Sequence, residues 1–393
     1  MTVSRTISQQ MQKSSWIRRM FEQGAELKAE HGEKNVFDFT LGNPALEPPT
    51  AFKEALVAAA SDPTPGLHRY MPNVGFPAVR DAIAQSVGQE HDVPLEGRHV
   101  VMTTGAASAL NVVLKALLDP GDEVITVAPY FVEYLFYVSN HGGENRVVET
   151  DENFQPDLGA IEAALNEKTR AVLVNTPNNP SGVVYEAARV AALGKIVEKH
   201  AEKIGRPVYL LMDDPYRRVK YVDEPHPSVI DTCRYGMIVT SYSKELGLAG
   251  ERIGYIVANP SMPDVDELLV ALSVSTRILG FVNAPAFMQR VLPLCGNASV
   301  DLTEYRRNRD ILYEGLTSFG YEMPSPDGAF FMFPKVPGGD DIAFCATLKQ
   351  HNVLVVPGRG FGTPGHIRIS YAVKTDFIER ALPHFEEALK QVS

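Results

Sequence analysis

Lys244 stands three residues after Ser241 in the stretch SYSKELGLAGERIG (241–254), and Arg252 closes that stretch ahead of an apolar run. A lysine in a loop is ordinarily a solvated charge, paired here with Glu245 or Glu251. One framed by a hydroxyl, a small-residue loop and an arginine can instead be a reactive amine beside an anion site. Other short stretches carry comparable groups. TGAAS (104–108) sets Gly105, Ala106 and Ala107 where a helix would begin, leaving backbone N–H groups and the helix dipole free for an anion. PYFVEY (129–134) offers Phe131 as a ring to stack on a planar ligand. TPNNPSG (176–182) holds Asn179 in a rigid turn, and DDPY (213–216) ends an apolar run with Asp213 and brings Tyr216 alongside. Each has a plainer local account: a tight turn, a core aromatic, ordinary turn chemistry, a cap. All of them together, each directly after a strand-like run, make the plain accounts hard to sustain jointly.

The elements that must position these groups are readable as apolar runs. From about residue 98 to 258, HVVMT, EVITVA, AVLVN, VYLLM, MIVTS and IGYIVA alternate with helical stretches such as ALNVVLKALL. Unbroken β-branched runs predict strands buried on both faces, as in a mostly parallel sheet covered by helices. Open sheets of that kind bind ligands beyond the carboxyl ends of their strands, where the candidate residues lie. After about residue 291 the pattern becomes α+β: an amphipathic helix in TEYRRNRDILYEGLTSFG closed by Gly320, strands in GAFFMF, VLVVP and HIRISYA, and helices in DIAFCATLKQHN and DFIERALPHFEEALKQ. SWIRRMFEQGAELKAEHG near the start predicts another helix, able to pack with this part.

Composition narrows the function. At 393 residues the chain exceeds the roughly 250–300 at which one core tends to split, so one large and one smaller domain are expected. A net charge of −11 argues against nucleic acid or an anionic membrane as partner. Cys233, Cys295 and Cys345 lie far apart without a CxxC pair, which fits a reducing compartment and no thiolate zinc site. The polar N-terminus lacks a signal-peptide core and no run approaches the ~20 apolar residues of a membrane span, so a cytosolic protein is expected.

The stretch Ser241-Tyr-Ser-Lys244-x-x-Gly247-Leu-x-Gly250-x-Arg252-Ile-Gly254 resembles throughout the lysine motif of class I and II aminotransferases, enzymes of pyridoxal-phosphate fold type I. The resemblance extends from LGNP (41–44) to HIRISY (366–371). It implies a large domain (46–290) with a seven-stranded, mostly parallel sheet and a smaller α+β domain made of residues 291–393 and the N-terminal segment 1–45. It implies pyridoxal 5'-phosphate as cofactor, with Lys244 bonded to its aldehyde and acting as general base and acid. Ser241, Arg252 and the backbone of Gly105, Ala106 and Ala107 would hold the phosphate. Phe131, where many members have Trp, would stack on the ring. Asp213 would bind the ring nitrogen, and Asn179 and Tyr216 the phenolic oxygen. Arg368 would fork onto the substrate α-carboxylate, a bidentate task lysine performs poorly, with Gly42 allowing close backbone approach and Asn179 alongside. Tyr70 matches a tyrosine reaching the neighbouring subunit's phosphate, implying a homodimer with shared sites. The resemblance also implies cis peptides at Ala128-Pro129 and Asn179-Pro180.

The expected activity is transfer of an α-amino group from an L-amino acid to a 2-oxo acid, 2-oxoglutarate or glutamate being one partner, by ping-pong kinetics. Carbon–sulfur lyases share these residues and are the alternative enzyme. A cofactor-binding regulator would carry a DNA-binding extension, for which the chain leaves no room. The S-x-x-K reading of Ser241–Lys244 as a serine acylase fails for want of SDN and KTG partners. GRGFG (358–362) is followed by a strand rather than the helix a dinucleotide loop requires, and no HExxH spacing occurs. An acidic side chain needs a second cation; Arg277, in STRILGFVNAP (275–285), stands about where some relatives place one for the partner subunit. A surface ion pair at the dimer contact is the other reading of Arg277.

Overall fold

A computed structural model describes the chain except residues 1, 9, 12–23, 25 and 393. Its main feature is a seven-stranded sheet made of β2 (Val100–Thr103), β3 (Glu123–Ala128), β4 (Glu144–Glu149), β5 (Thr169–Asn175), β6 (Tyr209–Asp213), β7 (Gly236–Ser241) and β8 (Gly254–Ala258), in the order β2-β8-β7-β6-β5-β3-β4. β4, β3, β5, β6 and β7 are mutually parallel, while β8 runs antiparallel to both β7 and β2. That reversal has a direct consequence: the start of β8, preceded by Arg252, falls at the same sheet edge as the ends of its parallel neighbours.

The unbroken apolar runs do bury both faces. Met102, Val127, Val172, Leu210, Ile238 and Val257 point into one hydrophobic cluster, and Val101, Val124, Leu173, Leu211, Val239 and Ile256 into another across the sheet. The expected helix after HVVMT is Ala106–Leu117, whose apolar face packs on the second cluster. β4 was not announced by any apolar run, because ENRVVE is mostly exposed at the sheet edge.

A third cluster gathers Phe37, Phe39, Tyr305, Leu312, Phe330, Phe331, Phe344 and Phe385. It lies among helices Thr303–Phe319, Asp341–Gln350 and Thr375–Val392 and two small sheets. In one, β1 (Phe37–Asp38) pairs parallel with β10 (Val353–Leu354); in the other, β12 (Ile367–Ser370) lies between β9 (Phe331–Met332) and β11 (Val356–Pro357). VLVVP is therefore not one strand, since the chain changes sheets at Val355. GAFFMF is strand only at its centre. Gly320 closes Thr303–Phe319 with φ 106, as expected of a left-handed C-cap. Of the helix expected over 15–32, Gly24 and residues 26–31 are helical and the remainder lies outside the described residues. Among the described residues no helix is long and apolar enough to cross a membrane.

Candidate active site

At the carboxyl edge of the parallel strands lies a cleft of about 400 Å³. Its first end is built for an anion. Gly105 caps Ala106–Leu117 with φ 101 and no side-chain cap, so the N–H groups of the first turn are left to another partner. A Cβ on Gly105 would stand 2.8 Å from Nη2 of Arg252, so the glycine lets the guanidinium close over the helix start. Arg252 itself has φ 51, and its Nη1 donates to the carbonyl of Ala249 at 2.9 Å. Ser241, buried at the end of β7, pairs in register with Gly254 and faces the same end.

The middle of the cleft holds Asp213 and Lys244. Asp213 ends β6, is buried, and accepts a hydrogen bond on Oδ2 from the Tyr134 hydroxyl. Its Oδ1 is buried without a partner. Burial raises this carboxyl to about 7; Asp214 adds to the rise and the Tyr134 hydroxyl opposes it. Lys244, in the short helix Tyr242–Glu245, donates from Nζ to the carbonyl of Gly42 at 2.9 Å. Burial brings its ammonium down to about 8, helped by the charges of Arg252 and Arg368. Tyr216 is buried beside it, its ring 5.9 Å from Nζ, and burial pushes its phenol well up. Phe131 meets Tyr134 edge-on at 5.6 Å between ring centres.

Arg368, on β12, defines the other end. Its guanidinium lies 4.7 and 4.8 Å from the ring centres of Phe331 and Phe361. Nη1 donates to Oδ1 of Asn179 at 3.0 Å and Nη2 to the carbonyl of Thr40 at 2.7 Å, while Nε is buried without a partner. Burial brings Arg368 down to about 10. A Cβ on Gly42 would meet the Phe331 ring at 2.9 Å, so only glycine lets the backbone pass here. Ala128-Pro129 and Asn179-Pro180 are both cis, as expected, and so is Thr176-Pro177.

Ala106, Ala107, Phe131, Asn179, Asp213, Tyr216, Ser241, Lys244, Arg252, Gly42 and Arg368 thus line one cleft, with Gly105 directly behind it. Tyr70 and Arg277 do not line it. Tyr70 is 90% exposed, and Arg277 is exposed on the last turn of Val265–Ile278. Motif reading missed Tyr134, Thr40, Glu133, Tyr137, Phe331 and Phe361, which also line the cleft. Glu133, Tyr134 and Tyr137 follow Phe131 closely on one short helix, while Thr40, Phe331 and Phe361 come to the cleft from distant parts of the chain. A smaller cavity of about 230 Å³ lies elsewhere, lined by Arg217, Tyr242, Glu245 and Cys295. Away from both, His351, His384 and Glu387 bring three potential ligand atoms within 4.8 Å of one another on the surface, a grouping no local spacing reveals.

The fold is that of fold type I transferases, and comparison with known proteins gives the family. Residues 34–385 match the family model described as aminotransferase class I and II. The chain is 32% identical over 382 residues to the aspartate aminotransferase of Thermotoga maritima, covering 95% of this chain and 97% of that one. It is also 32% identical to the aspartate/prephenate aminotransferase of Thermus thermophilus, over 89% of this chain and 90% of the relative. A solved amino transferase from Eubacterium rectale superposes with a TM-score of 0.96 at 39% identity, covering both chains completely. The chain belongs to the class I and II aminotransferase family and is an enzyme of amino-group transfer.

Proposed function

We propose that the cleft holds pyridoxal 5'-phosphate and uses it to move the α-amino group of an L-amino acid to a 2-oxo acid. The observation that carries this is the presence, in one cleft, of a half-buried lysine and a buried aspartate oxygen lacking a partner. The residues fit that cofactor. The uncapped helix start at Gly105, with Ala106, Ala107, Ser241 and Arg252, matches a phosphate. The orphaned Oδ1 of Asp213 matches a protonated ring nitrogen, which would restore its ionised form. Phe131 would stack on the ring, and Asn179 and Tyr216 would bind its phenolic oxygen. When bound, the cofactor supplies an electron-accepting ring and a carbonyl that exchanges with amines.

The chain's own residues do the rest. Lys244, shifted toward neutrality at physiological pH, is the amine that would hold the cofactor's carbonyl. Its free Nζ would take the proton from the substrate Cα as general base and give one up as general acid. Arg368 receives the α-carboxylate on Nη1 and Nε, between two rings that exclude water and strengthen the contact. Gly42 and Asn179 complete that end. The two substrates use the cleft in turn, which gives ping-pong kinetics.

The same reading assigns a homodimer, with Tyr70 reaching the partner's phosphate site, and residues 46–290 and 291–393 as large and small domains, the latter joined by 1–45. The relatives' names point to acidic substrates. Accordingly 2-oxoglutarate is the proposed acceptor, with Arg277 of the partner subunit as its second cation. The test is a panel of amino acids mixed with protein, cofactor and 2-oxoglutarate. Glutamate formation is expected. Ammonia release independent of 2-oxoglutarate would instead mark a lyase, and no reaction with any donor would overturn both.

A further inference from the structure

Glu133 is the one group lining the cleft whose charge the reaction outlined above leaves unused. It opens helix Glu133–Asn140, between Phe131 and Tyr134. A helix start tolerates an acid, and the carboxylate meets its own backbone N–H. That local account leaves Oε2 buried with no hydrogen-bond partner. Among the described residues no lysine, arginine or histidine forms an ion pair with it. Among the described residues the cation that acts on it is Arg368, and burial holds its carboxyl above the usual carboxylate range.

At the far end Arg252 and the helix start face one anion, and in the middle Asp213 faces one cation. Arg368 has no acidic partner of its own and, on the proposed function, takes the substrate α-carboxylate. Binding of that carboxylate offsets the positive charge that acts on Glu133 among the described residues. A buried carboxylate is then left beside a bound anion in a water-poor cleft, a costly arrangement unless a cation or proton arrives. An acidic substrate side chain would add a second repulsion; an ammonium or guanidinium would remove the first. We propose that Glu133 is a specificity residue that selects amino donors whose side chain ends in a protonated amine or guanidine.

This inference rests on the amino-acid-binding reading of the cleft, and it concerns the donor; the acidic acceptor is left to Arg277 of the partner subunit. The experiment uses the cofactor-loaded protein and α-methyl amino acids, which carry no Cα proton to lose, so that binding is measured by titration calorimetry without turnover. The probes are α-methylornithine and α-methyllysine, α-methylaspartate, and α-aminoisobutyrate as the uncharged reference. The native protein is expected to bind the basic probes more tightly than the acidic one. Relative to the reference, Glu133→Gln is expected to weaken the basic probes about ten- to a hundredfold, the range for loss of a charge-assisted bond, and to tighten α-methylaspartate. Glu133→Ser provides the same comparison if the amide disturbs packing, with the cofactor absorbance and melting temperature confirming an intact protein. Equal changes for all probes in both variants, or tighter binding of α-methylaspartate by the native protein, would overturn the role of Glu133 alone. Failure of every probe to bind the native protein would overturn the reading of the cleft along with it.

Discussion

Lys244 must be uncharged to attack a carbonyl, yet it sits in water-accessible chemistry at neutral pH, where a free lysine is almost wholly protonated. Its surroundings resolve the conflict, since burial and two guanidinium groups bring it to about 8. Capture of pyridoxal 5'-phosphate by the apoprotein is therefore expected to accelerate roughly tenfold per unit as pH rises toward 8 and to flatten above it. The sign follows because the neutral amine, favoured above the lowered pKa, is the attacking form. A stopped-flow absorbance series across pH 6–10 would show it, and a rate that falls over that range would contradict the assignment. Lys244→Ala is expected to abolish turnover and to remove the visible band of the lysine-bound cofactor, while the cofactor still binds through Ser241, Arg252 and Asp213. Substantial amino transfer by that variant would end the proposal. At this scale the sequence was informative because the lysine motif is local: Ser241, Lys244 and Arg252 lie within one short stretch. Thr40 was invisible, and the role of Tyr134 could not be read, because their partners, Arg368 and Asp213, lie far along the chain.

Strand ends place the chemistry, and buried ion pairs fasten the ends in turn. Arg217 follows Tyr216, Glu245 follows Lys244, and the two join at 3.0 Å with both side chains 5% exposed. Arg217 also holds Glu90 at 2.8 Å. The segments carrying the phenol and the amine are thus clasped to one another from behind the cleft. Glu245→Gln is expected to destabilise the protein by about 3–5 kcal/mol, the usual cost of breaking a buried pair. Urea unfolding would measure it, and a loss below about 1 kcal/mol would show that the clasp is energetically idle. The strands themselves were readable wherever both faces are buried, since then no polar residue interrupts the run. β4 escaped notice because its edge position leaves one side to water, and β1 because two residues carry no period at all. Strand order was not readable either. The antiparallel return of β8 along β7, which brings Arg252 to the working edge, joins consecutive strands, but the pairing of β8 with β2 joins segments distant in sequence and leaves no local mark.

The whole molecule raises the matter of what a second copy contributes. Tyr70 is 90% exposed and Arg277 is exposed outside its own cleft, the placement that the roles proposed for them in a partner's site require. Arg277→Leu is expected to raise KM for 2-oxoglutarate and glutamate about ten- to a hundredfold more than for an apolar 2-oxo acid, reflecting the ~1.5–3 kcal/mol of a charge-assisted bond. Equal losses with acidic and apolar partners would leave it a structural residue. The long reach from Thr40 to Arg368 has its own consequence, one of timing. During synthesis the segments proposed to hold the cofactor, residues 105 to 252, are complete well before Arg368 is made, and domains tend to fold as they emerge. The arginine proposed for the amino acid, with the Thr40 carbonyl and Asn179 that orient it, is assembled only as translation nears its end. On the proposed function, every group that would hold the coenzyme is thus made before the arginine that would grip the substrate.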